Sequence, residues 1–127
     1  MKRILVIEGD AAVRELMRIT LLKRGYQVSL AEDVLLGYDT ALFVKPDLIV
    51  TDIELSSTDG INIIKQIRDT PSLRHVRILV TTAFGTGTAT FSLQQGADGY
   101  EPKPIDPRSL LMTVQRLLAD SDGLRVA

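Results

Sequence analysis

The sequence predicts an α/β fold in which five short parallel strands form one sheet, doubly wound with helices on both faces. Three observations carry this. Short runs such as Ile4-Leu5-Val6-Ile7 and Leu48-Ile49-Val50 are apolar throughout rather than alternating, which marks strands covered on both faces. Between such runs lie segments with apolar residues at three- and four-residue spacing, the period of an amphipathic helix. Turn and cap residues separate the two kinds of segment. Strand and helix in strict alternation imply a parallel sheet joined by right-handed crossovers.

The elements follow in order. Ile4–Ile7 is the first strand. A helix runs from about Ala12 to Arg24, with Val13, Leu16, Met17, Thr20 and Leu21 on its apolar face, Asp10 placed to cap it and Gly25 just past its end. Gln27–Ala31 is the second strand, and Val34–Phe43 the second helix, stopped near Lys45-Pro46. Leu48–Thr51 is the third strand. Gly60–Arg68 is the third helix, striped by Ile61, Ile63, Ile64 and Ile67. Arg77–Val80 is the fourth strand, Thr88–Gln95 a short, weakly patterned helix, and Asp98–Glu101 the last strand. Asp106-Pro107 is a cap followed by proline at the first helical position, opening a final helix marked by Leu110, Val114, Leu117 and Leu118. "GTGTATF" reads as a flexible connection, Ser56, Ser57 and Thr58 as turn formers, and His75 as an exposed loop residue.

At 127 residues the chain suits one domain, spanning 1–120, with a loose tail over 121–127. A formal net charge of −1 gives no basic surface for nucleic acid or an anionic membrane. The absence of cysteine excludes disulfides, thiolate zinc sites and cysteine nucleophiles, and fits a cytoplasmic location. No run approaches the ~18 apolar residues of a membrane span, and the first strand is too short for a signal peptide. The initiating methionine and short tail suit a free-standing protein, with a fragment of a longer one as the alternative.

Parallel α/β sheets gather functional groups beyond the carboxyl ends of their strands. Here those ends carry Glu8-Gly9-Asp10, Asp52 with Glu54, Thr81-Thr82-Ala83, and Glu101-Pro102-Lys103-Pro104. Acids beside a hydroxyl and a lysine suit a hard cation next to a phosphoryl group. A carboxylate there can itself accept the phosphoryl group.

Four motifs stand in order, each at a predicted strand end: "ILVIEGD", "PDLIVTDIELSSTDG", "ILVTTAF" and "GADGYEPKPID". On these the chain resembles the response-regulator receiver domain of two-component signalling, from Lys2 to about Ala119. The resemblance implies a flavodoxin-like (βα)5 fold with strand order 2-1-3-4-5. It implies that Asp52 accepts a phosphoryl group from a histidine kinase or a histidine phosphotransfer protein. Mg2+ would be held by Glu8, Asp52 and the backbone carbonyl of Glu54, with Asp10 a further candidate. Thr82, the Ala83 amide and Lys103 would contact the phosphoryl group. Thr82 and Tyr100, the latter a half-buried aromatic, would report the switch. The Lys103-Pro104 peptide would be cis. The output surface would be the fourth helix, fifth strand and fifth helix, offering Phe91 and Leu93 to a protein partner unless both are core. A homodimer is left open, and no enzymatic turnover on other substrates is implied.

The chain departs from the family at three points. Gly9 stands where a second acid, a direct metal ligand, is usual, so weak magnesium binding is expected. Ser56 replaces a common proline, and Pro102 precedes Lys103. Gly9 also motivates the main alternative, a degenerate receiver that binds partners without phosphorylation. An aspartyl-nucleophile phosphatase would place Asp-x-Asp at the first strand rather than at Asp52-Ile53-Glu54. A flavodoxin-like cofactor binder would need donors where the first loop has acids.

Overall fold

The computed structural model describes residues 1–53, 58–83 and 86–119. Strands β1 (Arg3–Ile7), β2 (Gln27–Ala31), β3 (Leu48–Asp52), β4 (Arg77–Thr82) and β5 (Gly99–Pro102) alternate with helices α1 (Ala11–Leu22), α2 (Val34–Val44), α3 (Thr58–Arg68), α4 (Thr86–Gln94) and α5 (Pro107–Ala119). All neighbouring strands are parallel, in the order β2-β1-β3-β4-β5. The fold is therefore the flavodoxin-like arrangement expected from the resemblance.

Successive side chains of a strand point to opposite faces, and here each face has its own core. Leu5, Ile7, Ile49, Ile78 and Val80 pack with Ala41 of α2 and Ile63, Ile64 and Ile67 of α3. Ile4, Val6, Leu48, Val50 and Leu79 pack with Met17 and Leu21 of α1 and Leu110, Val114 and Leu117 of α5. This two-sided burial is why the strands read as continuous apolar runs. One close approach needs a glycine: a Cβ on Gly37 of α2 would lie 2.4 Å from Ile7 Cδ1 and 2.7 Å from Cγ1.

The helix boundaries follow local chemistry. Asp10 Oδ1 accepts the N–H groups of Ala12 (2.9 Å) and Val13 (3.1 Å), capping α1. Lys45 takes a left-handed conformation (φ 51°) to end α2 just before Pro46. Asp106 Oδ1 accepts the Arg108 N–H at 3.0 Å to open α5.

Several expectations are corrected. α1 ends at Leu22 rather than Arg24, because the chain tightens through Lys23 and turns at Gly25 (φ 88°). Leu16 is exposed, so the buried face of α1 is Met17, Thr20 and Leu21. Thr86–Phe91 of "GTGTATF" belong to α4 rather than to a connection. Thr58 starts α3 rather than forming a turn. His75 is exposed, as expected. Ser56, Ser57 and the 121–127 tail lie outside the described residues, as does the side chain of Ile61.

Candidate phosphoacceptor site

The strand register sets the site. β1 ends at Ile7, opposite Ala31 and Thr51; Asp52 lies opposite Thr81, and Thr82 opposite Pro102. Residues just past these positions leave the sheet at one edge. Glu8, Asp52, Thr82 and Lys103 all come from that edge, brought together from four different strand ends.

Lys103 is the hub. Its Nζ lies 2.8 Å from Glu8 Oε1 and 3.0 Å from Asp52 Oδ1. The Glu8 side chain is 1% exposed, and those of Asp52 and Lys103 are 16% exposed. Burial pulls the ammonium toward deprotonation, but hydrogen bonds to Glu8 and Asp52, and their charges, outweigh it and hold Lys103 above the usual lysine value of 10.5. The backbone is fixed as tightly. The Lys103 N–H donates to Thr82 O at 2.9 Å, and the Lys103-Pro104 peptide is cis. Pro102 thus removes its own donor from the strand end, and Lys103 supplies the next one.

Glu8 is committed at both oxygens. Oε1 faces Lys103, while Oε2 accepts the backbone N–H of Asp10 at 3.0 Å. Its own N–H extends the β1–β2 pairing by donating to Ala31 O at 3.0 Å. Arg14 reaches back from α1, its guanidinium donating to Glu8 O at 2.7 Å. Nothing in the motif flags Arg14, although it sits one turn into the helix that Asp10 caps.

The other predicted residues are placed as follows. Asp10 spends Oδ1 on the α1 cap. Thr82 is buried at the end of β4, and Ala83 is exposed just after it. Tyr100 is 38% exposed, more open than the half-buried residue expected, and Phe91 (45%) and Leu93 (40%) are also exposed rather than core. Glu54 lies outside the described residues. Glu101, named at the fifth strand end but assigned no role, is buried, and accepts hydrogen bonds from Ser109 Oγ (2.8 Å to Oε2) and from Thr113 Oγ1. The only hint was a four-residue hydroxyl spacing on α5.

Among the described residues no cluster of three or more Asp, Glu, His or Cys side chains gathers there, and Glu54, whose carbonyl the resemblance assigns to the metal, lies outside them. Gly9 brings no carboxylate, Glu8 has both oxygens engaged, and Asp52 Oδ1 faces an ammonium. What the arrangement offers is a partly exposed carboxylate at a strand end with a lysine cation alongside, a suitable acceptor for an electrophilic phosphorus.

Residues 4–115 match the response regulator receiver domain. The chain belongs to this family. The receiver domain is 34% identical over 125 residues to the DNA-binding dual master transcriptional regulator RpaA of Synechocystis, covering 98% of this chain and 52% of that protein. It is 38% identical over 117 residues to the response regulator MprA of Mycobacterium sp. (strain KMS), covering 91% and 50%. The receiver domain thus spans about half the length of the curated relatives it matches. Among solved structures, a CheY-like receiver domain protein from Methanospirillum hungatei superimposes with a TM-score of 0.87 at 26% identity, covering 96% of this chain and 97% of that one. A response regulator from Chloroflexus aurantiacus gives 0.86 at 28% identity, with 93% and 98% covered. Receiver domains are phosphoacceptor modules of two-component systems that interact with histidine kinases or phosphotransfer proteins, and they generally bind Mg2+ at the phosphorylation site. No described helix is long and apolar enough to cross a membrane.

Proposed function

We propose that this receiver domain accepts a phosphoryl group on Asp52 from a histidine kinase or a histidine phosphotransfer protein in the cytoplasm, and that the modification resets a protein-binding surface formed by α4, β5 and α5. The observation that carries the reading is the Asp52 carboxylate, ending a central strand, with the Lys103 ammonium 3.0 Å away. A carboxylate oxygen of Asp52 forms the new O–P bond as the N–P bond of the donor imidazole breaks. The imidazole nitrogen leaves with the electron pair and takes a proton. Lys103 stands beside the Asp52 carboxylate and the charge carried by the transferred group. The Thr82 hydroxyl and Ala83 amide, at the end of the adjacent strand, are the donors proposed for the phosphoryl oxygens. Thr82 and Tyr100 are proposed to carry the change to the surface by shifting an existing equilibrium.

Intact-mass measurement after treatment with acetyl phosphate tests this. The wild type should gain the mass of one phosphoryl group and Asp52→Asn none. Equal labelling of the two would refute the assignment. Gly9 favours a second reading, a receiver that binds its partner without phosphorylation. A wild type that stays unlabelled while folded would select it.

A further inference from the structure

We infer that the cation built into this site is Lys103, and that it competes with divalent metal for the oxygens of Glu8 and Asp52. This deepens the reading of Asp52 as acceptor and rests on it. Three observations lead to it. First, the ammonium sits between the two carboxylates, at 2.8 and 3.0 Å, the spacing of close ion pairs. Second, the other Glu8 oxygen accepts the Asp10 N–H at 3.0 Å, so a metal at Glu8 would have to share each oxygen with a donor already in place. Third, Gly9 is not a glycine the backbone demands. It lacks the positive φ of Gly25 and Gly96, and a Cβ there would meet only Glu32 O, at an ordinary 3.5 Å. A carboxylate at position 9 is sterically admissible, so what Gly9 withholds from the site is a charge.

With one acid fewer, the lysine offsets half the negative charge of the Glu8–Asp52 pair. A third carboxylate would tip the site toward a divalent ion; the ammonium holds it away from one. Removing either restraint should therefore act in the same direction. That is a distinctive expectation, because a lysine that merely supported a metal site would weaken the metal when removed.

The test is a calorimetric Mg2+ titration of the full chain in the absence of any phosphodonor, repeated by amide chemical-shift perturbation. Four proteins are compared: wild type, Gly9→Asp, Gly9→Ala and Lys103→Met. Gly9→Asp should tighten Mg2+ binding at least about tenfold, the scale on which changes around a metal act. Gly9→Ala, which adds a Cβ without a charge, should leave it unchanged. Lys103→Met should also tighten it. Wild-type affinity equal to that of Gly9→Asp, or a Lys103→Met protein that binds Mg2+ no better than wild type, overturns the inference. If Lys103→Met does not fold, Lys103→Gln, which removes the charge and keeps a polar end, takes its place with the same two outcomes. Failure here is separable from failure of the acceptor reading, which depends only on mass gained at Asp52.

Discussion

The backbone N–H of Asp10 donates to Glu8 Oε2 at 3.0 Å, while the Asp10 side chain caps α1. One residue thus ties the buried carboxylate of the site to the start of a helix. Asp10→Ala should keep the first bond, which is made by the backbone, and lose the second. The expected cost is about 1 kcal/mol, typical of a lost cap, read as a shift in the urea midpoint. Asp10→Ser should restore most of it. Equal stability of Asp10→Ala and wild type would show that the cap contributes nothing.

Lys103 gives a pH dependence whose sign is fixed. Its pKa is raised on folding by Glu8 and Asp52. The stability it contributes is therefore fully present below the ordinary lysine value and is lost as pH rises through the raised one. Urea unfolding followed from neutral to strongly alkaline pH should show the wild type losing ground to Lys103→Met above pH 10.5. At neutral pH Lys103→Met should be weaker by about 3 kcal/mol, because two carboxylates are left facing each other. Adding Glu8→Gln should recover part of that loss, the signature of coupling between contacting residues.

Gly37 predicts a steric penalty. Gly37→Ala drives a methyl group into Ile7, at 2.4 Å from Cδ1 and 2.7 Å from Cγ1, and Ile7 is only 2% exposed within a packed core. A loss of about 1–3 kcal/mol follows from overpacking. Ile7→Val removes Cδ1, so the double variant should be more stable than Gly37→Ala alone. An additive double variant would place the strain elsewhere.

The output surface can be mapped by amide exchange. Exposed Phe91, Leu93 and Tyr100 lie on α4 and β5, and Met112 of α5 is 71% exposed. Phosphorylated and unmodified protein should differ first within residues 83–104. Differences confined to α1 and α2 would contradict the proposed surface.

The sheet was legible because its strands are buried on both sides and say so in continuous apolar runs. The ends of the elements were legible where one residue dictates them: Asp10, the Lys45-Pro46 stop and Asp106-Pro107. Harder cases share a physical cause. α2 is apolar almost all round, with Leu35 at 75% and Phe43 at 89% exposure, so periodicity could not say which face it buries. Leu16 has the right spacing for the core but lies at the margin of the stripe. Arg68 joins α3 to the β4–β5 edge, donating to Asp98 Oδ2 at 2.8 Å and to the carbonyls of Gly96 and Val76, while Arg77 donates to Asp98 Oδ1 at 3.0 Å. These partners are far apart in sequence, and no local pattern links them. The same holds at the site. The motif picked out Glu8, Asp52 and Lys103 as individuals, but that both oxygens of Glu8 are occupied is visible only once strands and turns are assembled.

The order of the strands also has a consequence for how the protein is made. Glu8 follows the first strand to leave the ribosome and Asp52 ends the third, and β1 and β3 pair directly. The lysine that pairs with both follows the last strand, which lies at the far edge of the sheet. A nascent chain therefore carries two facing acids with no cation between them until β5 is added. The electrostatic balance of the site is completed only when synthesis of the domain is nearly finished, so an incomplete chain bears a penalty that the finished one does not.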